Sequence, residues 1–379
     1  MVNIDRVLIT GAYGTKNLGD EKILSGLAKL CRKHYQVDEV IAATIDPQAT
    51  LKATSVDRAI LNIEKSFFTW ISVAKDVDLI ILGGGSIVGT PFARRHSLIV
   101  AIASLLGTKI YVIGGVADGD PVDKETSRRY LKMVDAIAVR DFLSKNRLFS
   151  MGIDEPIDVV PDPGFISEPE QNRRYTLPEQ YILICIRSGE GLPSNVDIAG
   201  LSSALDSLNS QTNNTILFFP FHRIREGDRA FSEKVAKEMD TDAVIFDQEY
   251  DIADAEFIIS NADAVIAMRL HSMILSASQR TPFTPISYTP KCDAFLEMIE
   301  VSKSIDYDSI KSEELVNSVM ENLNGDTPIS QSEDAIKGLE EDCWEMFEHC
   351  DDQDREAGSS RPFLHLLTYI PRVVLKEYR

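Results

Sequence analysis

Short β-branched runs alternate with amphipathic helical patterns along this 379-residue chain, stop at a polar stretch with two prolines, and then resume. Such alternation is the signature of parallel, doubly wound sheets, and a chain of this length exceeds one ordinary core. The predicted fold class is therefore α/β, with two Rossmann-like doubly wound domains facing a cleft. The expected boundaries are an N-terminal domain over 1–166, a C-terminal domain over 181–324, and an acidic linker with a basic, apolar tail over 325–379.

Arg6–Thr10 (RVLIT) reads as the opening strand, followed by a loop over 11–19. Over 20–34, Ile23, Leu24, Leu27, Leu30 and Cys31 recur on one face of a helix. Further strands are expected at 39–43, 78–82, 109–113 and 135–139, the last running through Arg140 and Asp141 into another helix. Residues 167–180, SEPEQNRRYTLPEQ, read as the interdomain linker. Alternation restarts with a strand at 181–187, a helix near 197–210, a strand at 215–220, a helix at 228–239 and a strand at 243–247. A short helix over 251–260 precedes a strand over 263–268, and 283–288 reads as the final strand. Beyond 325 the chain is acidic, part helical and part flexible, and it ends on RPFLHLLTYIPRVVLKEYR. That ending suits a helix docked on the protein or a segment lying on a membrane surface.

Acidic residues outnumber basic ones 59 to 39, for a net charge of -20. Such a surface repels nucleic acid, which argues against a polyanion-binding role, and any anionic substrate needs a local basic pocket. Cys31, Cys185, Cys292, Cys343 and Cys350 are scattered without a CxxC pair or zinc spacing, which fits reduced thiols rather than a disulfide framework. The start MVNIDRVLIT has no basic n-region, and the longest apolar run, SLIVAIASLLG, is too short to span a bilayer. The expected location is the cytoplasm.

The segment DAVIAMRLHSMIL places Arg269 and His271 between a buried strand and a helix. A cation and an imidazole at a strand's carboxyl end lie where α/β proteins bind ligands, and the next helix N-terminus favours an anion. An Arg paired with an acid and a His closing the turn would account equally well for these two residues alone. Basic groups end other strands in turn: Arg187 closes YILICIR, His222 and Arg223 follow ILFFPF, and Lys291 follows FTPISYTP. Gathered at one edge, such cations repel each other but suit a small, highly charged anion. Two glycine clusters punctuate the first half. GAYGTKNLGDE departs from GxGxxG, so NAD binding is poorly supported, and its Asp20 suits a helix N-cap. In LGGGSIVG, Gly83, Gly84 and Gly85 read as a backbone wall around a ligand, with Arg94, Arg95 and His96 as a local basic spot nearby.

In order and spacing, GAYGTKNLGDE, LGGGSI, VRDFLS, VVPDPGF, AMRLHSMIL and YTPK resemble the polysaccharide pyruvyltransferase family over roughly residues 5–300. The resemblance implies a GT-B-like pair of Rossmann-like domains. It also implies transfer of the enolpyruvyl carbons of phosphoenolpyruvate onto two sugar hydroxyls as a cyclic ketal, with phosphate released. Under that chemistry His271 is assigned as the general acid, with Arg269 and Arg187 clamping the donor. Lys291, His222 and Ser272 are further donor contacts, while Asn17, Asp20, Gly83, Gly84 and Gly85 face the acceptor. No metal or cofactor is required, because the cations balance the donor's charge. The implied partners are phosphoenolpyruvate and a glycan or lipid-linked oligosaccharide, with peripheral membrane contact through the C-terminal tail and no nucleic acid. Arg269→Ala is expected to abolish donor binding with the fold intact. The rival readings are a GT-B glycosyltransferase using a nucleotide sugar and a binding protein with a degenerate cleft.

Overall fold

The computed structural model describes residues 3–88, 92–115, 117, 124–167, 175–187, 197–222, 226–325 and 332–357. The chain divides into two compact units. The first holds residues up to Thr15, Asp20–Pro163 and the chain from Asp342, and the second holds Lys16–Gly19 and Gly164–Glu341.

The first unit runs β1 (Arg6–Thr10), α1 (Leu18–Tyr35), β2 (Glu39–Thr44), α2 (Pro47–Ala53), β3 (Arg58–Leu61), α3 (Phe67–Ala74) and β4 (Leu79–Gly83). It continues with α4 (Phe92–Leu106), β5 (Lys109–Gly115), α5 (Lys124–Leu131), β6 (Ala136–Val139), α6 (Phe142–Ser150) and β7 (Asp158–Val159). Among the described residues its strands form a seven-stranded parallel sheet in the order β3-β2-β1-β4-β5-β6-β7. The central strand β4 is buried along its whole length, whereas the edge strand β3 is mixed. A sheet covered on both faces requires that contrast, which is why the inner strands read as unbroken apolar runs. Trp70, Ile80, Leu82, Val112 and Ile137 belong to the unit's core.

The second unit runs β8 (Tyr181–Cys185), α7 (Ile198–Thr212), β9 (Thr215–Phe218), α8 (Glu226–Glu238), β10 (Ala243–Ile245), α9 (Ile252–Ser260) and β11 (Ala264–Ala267). Then come α10 (Leu270–Ser278), β12 (Phe283–Ser287), α11 (Pro290–Met298), β13 (Ile305–Asp306) and α12 (Ser312–Leu323). Its described strands make a six-stranded parallel sheet ordered β10-β9-β8-β11-β12-β13. Ile184, Phe218, Ile266, Leu205 and Leu315 pack its core. Aspartates start several helices by accepting an N–H in the first turn: Asp46 for α2, Asp141 for α6, Asp197 for α7, and Asp251 in a reciprocal box with Asp254 for α9.

Three features differ from the sequence reading. The strands β3, β7 and β13 were not foreseen: two are two-residue pairings, and β3 is a four-residue edge strand without a clean period. The last strand is accordingly β13 rather than the one over 283–288. The domains are also not simply consecutive, because the described chain from Asp342 returns to the first unit along α13 (Glu333–Ala357). Asp351 anchors that return by accepting from Tyr35 at 2.8 Å and Tyr111 at 2.9 Å, while Gln353 bonds Ile137 N at 2.9 Å and Ile137 O at 3.1 Å. Residues 168–174 of the expected linker, Arg223, and the basic tail over 361–379 lie outside the described residues. All five cysteines are buried and none is in a disulfide. Among the described residues no helix is long and apolar enough to cross a membrane.

Candidate functional site

In the second unit β9, β8, β11 and β12 are consecutive neighbours and all run parallel, so their carboxyl ends share one edge. His222 follows β9, Arg187 follows β8, Arg269 and His271 follow β11, and Lys291 follows β12. Four adjacent strand ends thus carry basic side chains to the edge where parallel sheets bind ligands. Among the described residues no group of three or more His, Cys, Asp or Glu is placed to hold a metal ion.

Asp228, in the first turn of α8, organises the middle of this edge. Its fully buried carboxylate takes a two-pronged grip from Arg269, with Nε donating to Oδ2 at 3.0 Å and Nη2 donating to Oδ1. Oδ2 also accepts the backbone N–H of His222 at 3.0 Å. One aspartate therefore fixes the exits of both β9 and β11. Two donors of the Arg269 guanidinium are committed to Asp228, and its Nη1 makes no hydrogen bond to a described residue. Arg269 itself is the extended N-cap of α10, and its carbonyl accepts from Ser272 N at 2.9 Å and Ser272 Oγ at 2.6 Å. Ser272, expected at the donor, is fully buried, and its hydroxyl closes this first turn instead.

The segment 16–19 belongs to this unit. Asn17 forms an isolated antiparallel bridge with His222, and Leu18 N donates to Phe221 O at 3.3 Å. Asn17, expected with the first domain, is drawn to the second by these backbone bonds. The same segment seats His271: a Cβ at Gly19 would lie 2.1 Å from the ring's Nδ1 and 2.6 Å from Cγ. Glycine at this position lets the imidazole rest against the opening turn of α1.

Arg187 and Tyr288 form the next layer along the edge. Arg187 Nη1 donates to Tyr288 Oη at 3.2 Å, and the guanidinium carbon sits 5.0 Å from the ring centroid. Burial pushes the Tyr288 phenol up, while the positive charges of Arg187 and, less strongly, Arg269 pull it down. Beyond it Thr289 stands at the N-cap position of α11 without a side-chain capping bond, Pro290 opens the helix and Lys291 follows.

The glycine cluster of the first unit has packing reasons. Tyr13 Oη donates to Gly83 O at 2.5 Å, and a Cβ at Gly83 would meet Leu27 Cδ1 at 2.5 Å. Gly84 and Gly85 adopt left-handed φ of 69° and 72°, which favours glycine. Gly84 packs against Ile23, so only Gly85, with nothing nearer than Ala12 Cβ at 3.7 Å, has the room expected of a ligand wall. Asp20 lies inside the first turn of α1 rather than at its N-cap, because the helix starts at Leu18. Two members of the local basic spot are structural: Arg95 pairs with Glu64, and His96 is buried and pushed down to about 3, first by desolvation and then by Arg95. Arg140 and Asp162 form a buried ion pair at 2.8 Å that ties VRDFLS to VVPDPGF.

Sequence reasoning missed Glu21. Its side chain is 4% exposed, and Oε1 accepts Gly14 N at 2.6 Å. Burial raises its carboxyl to about 7 against the lowering by the Gly14 bond, with Asp20 and Asp46 adding to the rise. Sequence reasoning also missed Asp228. For both residues the acid was visible and its burial was not.

The chain is similar in fold to several solved enzymes. A UDP-GlcNAc 2-epimerase from Methanocaldococcus jannaschii superposes with a TM-score of 0.56 at 14% identity, covering 84% of this chain and 93% of the other. A putative UDP-N-acetylglucosamine 2-epimerase from Listeria monocytogenes gives a TM-score of 0.60 at 11% identity, covering 87% and 90%. The E. coli ADP-heptose LPS heptosyltransferase II gives 0.51 at 12% identity, covering 85% and 99%. Such identities establish the fold, an α/β two-domain chain of the GT-B class, and nothing further. No curated protein matches the chain. The family model described as polysaccharide pyruvyl transferase matches residues 17–290, from the segment that bridges His222 to the start of α11. The chain belongs to the polysaccharide pyruvyl transferase family.

Proposed function

We propose that this transferase moves the pyruvyl group of phosphoenolpyruvate onto two hydroxyls of a glycan sugar, forming a cyclic ketal and releasing phosphate. The observation that supports it is the row of Arg187, His222, Arg269, His271 and Lys291 on four adjacent strand ends of an otherwise acidic chain. A donor bearing both a carboxylate and a phosphate needs such a row, and guanidinium forks match both groups. His271 gives a proton to the methylene carbon, an acceptor hydroxyl attacks the neighbouring carbon, and phosphate departs. The imidazole takes the first hydroxyl's proton back, and the second hydroxyl attacks the same carbon in place of the departing phosphate, which carries off its proton. Asn17 and Asp20 are the candidate acceptor contacts.

Calorimetry of the purified chain with phosphoenolpyruvate and with UDP-GlcNAc tests the donor. Saturable binding of phosphoenolpyruvate alone agrees with the proposal, whereas binding of the UDP-sugar alone assigns the chain to nucleotide-sugar chemistry. The acceptor on this reading is a cell-surface glycan or a lipid-linked precursor, met on the cytoplasmic side. A peripheral membrane contact through the basic segment over 361–379 follows. Equal liposome co-sedimentation of the full chain and a 1–358 truncation rejects that contact.

A further inference from the structure

Among the described residues the Tyr288 hydroxyl proton has no recipient. The hydroxyl accepts from Arg187 Nη1 at 3.2 Å, and it cannot donate in return because a guanidinium has no acceptor. Among the described residues the Tyr288 hydroxyl makes no other hydrogen bond. Arg187 Nε is buried and likewise meets no acceptor, an uncommon state for a buried charged donor. Arg269 lies close enough to act on the same phenol. Two unspent donors and a second cation at one strand edge make a receptor whose missing partner is an anion.

We propose that Tyr288 is a ligand-binding residue whose O–H, oriented by Arg187, donates to a phosphate or carboxylate oxygen at this edge. The ring of Tyr288 stacks under the guanidinium and holds it in place, while the hydroxyl adds the hydrogen bond. Only the identity of the anion as part of phosphoenolpyruvate rests on the pyruvyl-transfer reading.

The test is calorimetric titration of inorganic phosphate, pyruvate and phosphoenolpyruvate into the wild-type chain and into Tyr288→Phe, which keeps the ring and its stack. Arg187→Lys serves as a second variant, keeping the charge but losing the fork, with thermal melts confirming that both fold. Tyr288→Phe is expected to weaken at least one anion about tenfold, the loss of one hydrogen bond to a charged group. Weakening of phosphate but not pyruvate assigns the hydroxyl to the phosphoryl end, and the reverse assigns it to the carboxylate end. Equal affinities in wild type and Tyr288→Phe for every anion overturn the proposal, and phosphoenolpyruvate binding in both leaves the donor assignment standing. Weakened phosphate binding with no phosphoenolpyruvate binding supports the receptor and removes that donor. Failure of the wild-type chain to bind any of the three overturns both.

Discussion

Replacing Gly19 by alanine adds one methyl group at the seat of His271. That Cβ would stand 2.1 Å from Nδ1, 2.6 Å from Cγ and 2.7 Å from Cε1. Non-bonded atoms settle near 3.5 Å or beyond, so the imidazole must retreat by roughly 1.4 Å. A displacement of about 1 Å in a reacting group costs on the order of a hundredfold in rate. The fold itself resists the change well: Gly19 is helical without a left-handed φ, and alanine is the better helix former by about 1 kcal/mol. Gly19→Ala is therefore expected to lose about a hundredfold in phosphate release from phosphoenolpyruvate with acceptor present, while its Tm stays level or rises. Gly26→Ala provides the contrast, because its Cβ would lie 1.9 Å from the Pro163 carbonyl oxygen, a backbone atom that cannot rotate away. It should lower stability by about 1–3 kcal/mol. Full activity in Gly19→Ala at unchanged Tm would refute the idea that the seat on α1 places the reacting imidazole.

Arg269→Ala leaves the fully buried Asp228 carboxylate without its cation, so it is expected to lower unfolding free energy by about 3–5 kcal/mol as well as abolish donor binding. This revises the sequence expectation of an intact fold. Pairing it with Asp228→Asn should restore much of the stability but not the binding, and urea midpoints that are equal for wild type and Arg269→Ala would count against the burial argument. Glu21 makes stability depend on pH. Its carboxyl rises from 4.5 to about 7 on folding, first through burial. Between those values the folded chain keeps a proton that the unfolded chain has lost. The site's contribution is thus full below about 4.5, falls by on the order of 3 kcal/mol as pH rises to about 7, and is flat above. Glu21→Gln retains the acceptor for Gly14 N and should flatten this slope in melts from pH 5 to 8. Parallel profiles for the two proteins would show that Glu21 titrates normally.

Much of this architecture was legible because the inner strands are buried on both faces, and an unbroken apolar run such as YILIC advertises that burial. The row of cations was legible too, since each lies within four residues of its strand's end. Their partners were not. Asp228 lies 41 residues before Arg269 in EGDRAF, a stretch indistinguishable from an exposed helix start. Gly19 and His271 meet only through tertiary folding, and nothing in GAYGTKNLGDE signals an imidazole neighbour. Gly83 and Gly84 misled for the opposite reason. Consecutive glycines suggest a ligand, yet here they admit the Tyr13 hydroxyl and the Leu27 and Ile23 side chains. Local sequence reports period and chemistry, whereas burial and long-range pairing decide which chemistry is exposed for use.

Ketal-forming transfer from phosphoenolpyruvate, proposed for the carboxyl edge of the second sheet, must release phosphate as the acceptor is modified. Phosphate release by the purified chain, measured over a panel of glycan and lipid-linked acceptors with His271→Ala alongside, tests it most directly. Release that requires a particular acceptor and disappears in His271→Ala is the predicted result. Acceptor-dependent release that persists undiminished in His271→Ala would contradict the assignment of the proton donor. Absence of phosphoenolpyruvate binding and release with every acceptor would contradict the reaction itself.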